Sequence, residues 1–330
     1  MKTVKGHPLK GFLLAACCVC LLLLPLVVTN SYMLKVVNNV MLYSIVALSI
    51  NLIVGFCGLL DFGRSAFVGL GTYFLAITLT RFARVPFFAA FLGAGLFAAA
   101  VGWLLGLLCQ KTAFDYLTLI TLGVNEIVRI IFLNWQLVTG GGIGIMGVPS
   151  PSLFGFQFNT HTRFYYFALA LLAACYLLIF RITRSHYGRA FEAIRDDGIA
   201  AAYSAVNVPK FKALCFSLAS FFTGIAGAAM VSYTNYASPY NFTIDESLIM
   251  MQMAILGGLG SLPGCILGAA ILIIAPEVSR TVYDYRLLIM GVLMVVLMLF
   301  APNGILGKNG IGEKVVGFSG LRRKAGEKDG

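Results

Sequence analysis

The sequence predicts an all-α polytopic membrane protein, a helix bundle of about ten spans that includes short or broken helices. Its 330 residues are 59% hydrophobic and 11% charged, with a mean hydropathy of +0.90, against about 25% charged residues in soluble domains. Apolar runs near the helical crossing length of about 20 residues recur along the chain. No repeated apolar/polar alternation marks out the strands of a membrane barrel.

Lys2, Lys5 and Lys10 precede an apolar run from about Gly11 to Val28. That run is longer than a signal-peptide core and no A-x-A site follows in TNSYM, so it reads as a retained first helix. Further spans are expected at about 35–56, 59–80, 87–109, 114–136, 164–183 and 213–233, then at 247–259, 264–277 and 286–301. The segments at 247–259 and 264–277 are short, and GGLGSLPG between them is rich in helix breakers. They read as a re-entrant or broken pair that returns the chain to the side it left. Residues 137–163 are Gly/Pro/Ser-rich and too polar to span, while the stretch from Pro302 onward, with Arg322, Arg323 and Lys324, reads as a solvated tail able to touch anionic membrane lipid.

Charge asymmetry sets the orientation. With the N-terminus in the cytoplasm, Lys2, Lys5, Lys10, Arg64, Lys111, the basic residues of 181–212 and those of the tail share one side. About 17 of the 24 Lys and Arg residues then face inward and about 6 outward, as the positive-inside rule requires. That rule accounts for the net charge of +11, and nucleic-acid binding is not expected. The organisation is a cytoplasmic N-terminus at 1–10, a membrane domain at 11–301 and a cytoplasmic tail at 302–330. Both termini are expected in the cytoplasm of a multi-pass membrane protein.

No catalytic chemistry is legible. Cys17 and Cys20 have the C-x-x-C interval but no second ligand pair lies nearby, so the cysteines read as small apolar helix residues, with no metal and no cofactor expected. His7, His161 and His186 are scattered, and neither H-E-x-x-H nor G-x-x-x-x-G-K-[ST] occurs.

One long polar interruption stands out, RSHYGRAFEAIRDDGIAAAYSAVNVPKFK at 184–212. It must lie outside the bilayer, yet Tyr187, Phe191, Ile194, Ala201 and Ala202 recur at helical spacing and give it an apolar face. A partner protein is expected to cover that face.

Glu192-Ala193 followed by Gly198 and by Val208-Pro209 resembles the cytoplasmic EAA loop of ABC-importer permeases. The longer stretch YGRAFEAIRDDGIAAAYSAVNVPKFKALCFSLASFFTGIAGA is similar to the matching region of the branched-chain amino-acid permeases, on the LivM side of the LivM/LivH pair. Three more stretches agree in order: LLDFGRSAFVGLGTYFLA at 59–76, TLITLGVNEIVRIIFLNWQLVTGGGIGI at 118–145 and ILGGLGSLPGCILGAAIL at 255–272. The resemblance runs from about residue 35 to residue 307. The loop departs from the general pattern at Ile194, which replaces the second Ala, and in a shorter interval from Gly198 to Pro209.

The resemblance implies a non-enzymatic permease subunit of an ABC importer for branched-chain or related hydrophobic amino acids, working by alternating access. It implies as partners a second permease of the LivH type, two cytoplasmic ATP-binding subunits and a periplasmic or extracellular substrate-binding protein. Glu192, Ala193 and Gly198, with the apolar face of Phe191 and Ile194, would form the ATPase-coupling contact. Related permeases for urea or short amides share these motifs, and an ion-coupled secondary transporter is the alternative from another class.

Glu126 and Arg129 lie on one face of an otherwise apolar span, where they can pair. Each charge would cost about 2.5–3.5 kcal/mol at a helix centre, so the pair is expected to face the bundle interior. With Asn125 they either line the substrate route or tie two helices together. Gly141 and Gly142, within the run of Gly140 to Gly144, either expose backbone amides near the outer end of that route or serve packing.

Overall fold

The computed structural model describes residues 24–25, 30–82, 85–108, 114–153, 156–204, 206–278, 291–292, 295 and 304–307. The expected spans at 11–28 and 286–301 lie almost wholly outside the described residues, as does the chain beyond 307.

Asn30 starts α1 (Ser31–Ile50) by accepting a hydrogen bond from the Tyr32 N–H. Every residue from Ser44 to Ile50 is buried, so the second half of α1 is a core helix with no solvent or lipid face. It runs on into a π-helical turn over Asn51–Phe56. Gly58, at φ +74°, ends it in a conformation that favours glycine. The chain stays non-helical until α2 (Arg64–Arg81) begins. The span expected from residue 59 therefore starts late, because Asp61 Oδ1 accepts from the Gly63 N–H at 2.9 Å and folds the segment into a turn instead.

There follow α3 (Phe87–Leu108), α4 (Phe114–Asn134), a single turn α5 (Gln136–Thr139), α6 (His161–Arg184), α7 (His186–Asp196), α8 (Gly198–Tyr203), α9 (Val208–Thr234), α10 (Ile244–Gly257) and α11 (Leu262–Val278). Among the described residues five helices are long and apolar enough to cross a membrane: α1 with its π-turn, α3, α4, α6 and α9. The few two-residue strands sit in the connections at 145–157 and 236–237.

α9 is the central element. Asn207 caps it through the Lys210 N–H, Pro209 stands in its first turn, and Asn235 closes it at φ +56°. It packs against α3, α2 and α1. Small residues let backbones meet there: a Cβ at Gly71 of α2 would collide with the Gly224 backbone of α9. Such contacts hold membrane helices together where apolar burial adds little driving force.

The short pair expected near the C-terminal end is present. α10 and α11 form an antiparallel hairpin in which Gly257 lies against Gly264 and Gly268 against Met253. At about 1.5 Å per residue α10 spans about 21 Å, less than the about 30 Å of a full crossing, and the described part of α11 about 25 Å. The solvated tail expected from Pro302 needs correction at its start. Ile305 and Leu306 donate backbone N–H groups to the Leu256 and Gly257 carbonyls, at 3.0 and 3.1 Å. They thereby cap acceptors that the end of α10 leaves open.

Candidate functional site

The polar stretch folds as two short helices between α6 and α9. Ser185 closes α6 by donating to the Ile182 carbonyl and opens α7 by accepting from the Tyr187 N–H. Asp197 opens α8 by accepting from the Ile199 and Ala200 N–H groups, at 2.8 and 3.0 Å. The amphipathic pattern of α7 is present, but its apolar face is not kept for a partner. Phe191 is 0% exposed and Ile194 6%. Both are buried by this chain itself, with Phe191 against Phe211 of α9, which corrects the expectation that a second protein shields them. Periodicity had marked a buried face without saying what buries it. The large apolar side chains left open are Tyr187 on α7 and, on α8, Ile199 (73% exposed) and Tyr203 (88%), with Ala202 exposed beside them. Ile199 and Tyr203 are four residues apart and share a face. Glu192 and Ala193 are half-buried, and a Cβ at Gly198 would meet nothing within 4 Å.

Arg195 fastens α7 to the break after α1. Its Nη1 donates to the Gly55 carbonyl at 2.8 Å, and its stem packs on Gly58 so closely that a Cβ there would lie 2.7 Å from Arg195 Cγ. Asp196 Oδ1 holds the other side of the guanidinium at 2.9 and 3.1 Å. The same break touches the α10–α11 turn, where the Gly260 N–H donates to Asn51 Oδ1 at 2.7 Å.

Beyond the break lies a buried polar node. Asp61 Oδ2 and Arg64 Nη2 approach to 2.5 Å with both side chains fully buried. Arg64 Nη1 reaches Thr223 Oγ1 of α9 at 3.5 Å, Thr223 bonds Ser49 of α1 at 2.7 Å, and the guanidinium lies over the rings of Phe67 and Phe216. The expectation of Arg64 as a cytoplasm-facing charge is thus corrected. The chain break supplies a carboxylate, and a paired cation tolerates burial that a lone one does not. The spacing of Asp61 and Arg64 inside LLDFGRSAF was the available signal.

Asn125 belongs to this node. Gly63 has no side chain to cap α2, so the cap comes from other helices: Asn125 Oδ1 of α4 accepts from the Ala66 N–H at 2.7 Å, and Ser247 Oγ of α10 from the Ser65 N–H at 2.9 Å. Ser65 Oγ also donates to Asn125 Oδ1. Glu126 and Arg129 do pair, with Arg129 Nε at 3.0 Å from both carboxylate oxygens. The pair is half-exposed on α4 beside the exposed Ile127 and Ile130, whereas Asn125 is fully buried. The expected trio is therefore split: Asn125 and Glu126 are adjacent and point apart, and the Arg129 side chain goes to the Glu126 carboxylate. Gly141 is buried and its N–H goes to Thr139 Oγ1 at 3.3 Å, so that amide is already used. Gly142 is exposed.

The described residues thus form an apolar helix bundle, the architecture of a polytopic membrane protein, with a polar helix pair clamped to an internal helix break. Comparison with known proteins agrees. The family described as "Branched-chain amino acid transport system / permease component" matches residues 32–300, and the chain belongs to that family. It is 35% identical over 289 residues to the high-affinity branched-chain amino acid transport system permease protein LivM of Salmonella typhimurium, covering 81% of this chain and 68% of the relative. LivM of Escherichia coli K12 matches equally, and LivH of Salmonella typhimurium is 27% identical over 81% of this chain and 91% of its own. No solved structure matches the chain.

Proposed function

We propose that this chain is the membrane-spanning permease subunit of an ABC importer for branched-chain or related hydrophobic amino acids, placed in the bacterial plasma membrane with both termini cytoplasmic. It works beside a second permease of the LivH type. Two cytoplasmic ATP-binding subunits supply the energy, since this sequence contains no phosphate-binding loop. A binding protein delivers substrate from outside. α7 and α8 are the docking element for an ATPase, through Glu192, Ala193, Gly198 and the open face of Ile199 and Tyr203.

The observation that carries this reading is the double character of the helix pair. One side offers exposed apolar groups to a partner while the other grips a helix break deep in the bundle through Arg195. Movement of α7 on ATPase closure then pulls on the π-turn, on the segment carrying Asp61 and Arg64, and on the α10–α11 turn. The half-exposed Glu126–Arg129 pair supports a route along α4 toward the second permease, because lipid would penalise both charges.

The test is uptake by the complete importer of labelled Leu, Ile, Val, urea and short amides. Saturable uptake of the branched-chain amino acids, competed by one another, is expected. Uptake of urea or amides in their place would overturn the substrate class.

A further inference from the structure

A cavity of about 270 Å³ lies between α1, α2, α9 and α10, away from the coupling helices. Ligand pockets for drug-sized molecules run about 300–1,000 Å³, so this one suits a smaller metabolite. Its walls divide by chemistry. Val68, Met230 and Met250 are apolar, Asn39 and Asn241 offer amide groups, and Glu246 brings a carboxylate. Parts of the wall are already fixed: Thr72 Oγ1 donates to the Gly227 carbonyl at 3.0 Å, and the Tyr233 hydroxyl is held by Asn38 and His161. The described residues that line it include no Lys or Arg, so the field of the lining favours a cationic group.

Resting on the importer reading above, we propose that this cavity is a transient binding site for the transported amino acid. Glu246 takes the α-ammonium, the Asn39 and Asn241 amides take the carboxylate, and Val68, Met230 and Met250 take the branched side chain. The lining residues Glu246 and Val68 adjoin the buried node along the chain. Ser247, next to Glu246, accepts the Ser65 N–H, and Val68 stands one turn beyond Arg64. A ligand seated there rests on the elements that Arg195 connects to the ATPase side.

Glu246 also has a structural role to separate from this one. Thr243 Oγ1 accepts the Glu246 N–H at 3.3 Å at the start of α10, in a T-x-x-E arrangement. Gln serves such a capping box as well as Glu does, but carries no charge. Glu246→Gln therefore keeps the cap and removes ammonium recognition, and Glu246→Asp keeps the charge.

The experiment photolyses the purified complete complex with photo-leucine, a diazirine analogue of leucine, and maps adducts by mass spectrometry. Adducts at Val68, Met230 or Met250 are expected. Leucine should suppress them and 4-methylpentanoate, which lacks the ammonium, should not. Glu246→Gln should lower them at least tenfold with unchanged ATPase co-purification, while Glu246→Asp retains a large part. Adducts found only elsewhere, equal labelling in Glu246→Gln, or equal suppression by 4-methylpentanoate would overturn the site. Leucine uptake by the wild-type importer is the control for the underlying reading. Uptake of urea without leucine overturns that reading, and leucine uptake without cavity adducts overturns this site alone.

Discussion

Arg195 and Gly55 are 140 residues apart in sequence, yet the guanidinium Nη1 of one lies 2.8 Å from the carbonyl oxygen of the other. That carbonyl sits in the π-helical turn that ends α1, where the regular ladder of backbone bonds is already disturbed. α7 is thus attached to the π-helical turn and not to the α-helical part of α1, and under the proposed coupling role a pull on α7 would act there first.

Arg195→Ala should therefore separate hydrolysis from transport. The open face of α8 remains intact, so ATPase co-purification should stay within about twofold. Uptake should fall at least tenfold, and the ATP consumed per amino acid imported should rise. Parallel measurement of phosphate release and uptake in proteoliposomes checks this. An unchanged ratio would show that Arg195 only stabilises the fold.

The Asp61–Arg64 pair should behave as a buried couple. Removing one partner leaves the other charge uncompensated, which typically costs about 3–5 kcal/mol, while apolar replacement of both is often mild. Asp61→Asn and Arg64→Met should each lower the thermal stability of the detergent-solubilised chain more than the double variant Asp61→Leu/Arg64→Met does. Equal losses in all three would contradict a pairwise role.

Loss of the Asn125 carbonyl should unfasten the start of α2. Asn125→Ala removes the shorter of the two bonds made by the Ala66 N–H and leaves it the Gly63 carbonyl at 3.2 Å, a cost of about 1 kcal/mol. Asn125→Asp, which keeps an acceptor, should restore part of it. Hydrogen exchange at Ala66 reads this directly, because protection there should drop in Asn125→Ala.

Glu126 and Arg129 should be tested apart from Asn125. Replacing either by Leu leaves a lone charge on a mostly apolar face and should lower assembly with the second permease more than replacing both. A double variant that assembles but imports poorly would place the pair on the route. Equal assembly of all variants would mean that water already solvates both charges.

The helices were legible because apolar runs of crossing length announce themselves, and the α10–α11 hairpin because two short runs flank GGLGSLPG. The apolar stripe on α7 was legible too. Its burial against Phe211 was not, since periodicity identifies a face and says nothing of what covers it. Arg64 looked like one more basic residue at the end of a span, because the break that gives it Asp61 depends on the turn at Gly63. The cap from Asn125 to Ala66 and the clamp from Arg195 to Gly55 join residues 59 and 140 positions apart, and a single sequence carries no record of such pairs.

The central claim is that α7 and α8 receive the ATPase, and Gly198 allows the most direct measurement of it. An added Cβ there meets nothing within 4 Å among the described residues and the site lies outside the apolar spans, so Gly198→Trp should insert and fold normally. ATPase co-purification should be quantified for Gly198→Trp and Glu192→Lys, together with uptake by the complete importer. The account predicts that both variants reach the membrane at wild-type levels but retain less than about a tenth of the ATPase or lose uptake to that extent. Normal ATPase binding together with normal uptake in both would contradict it.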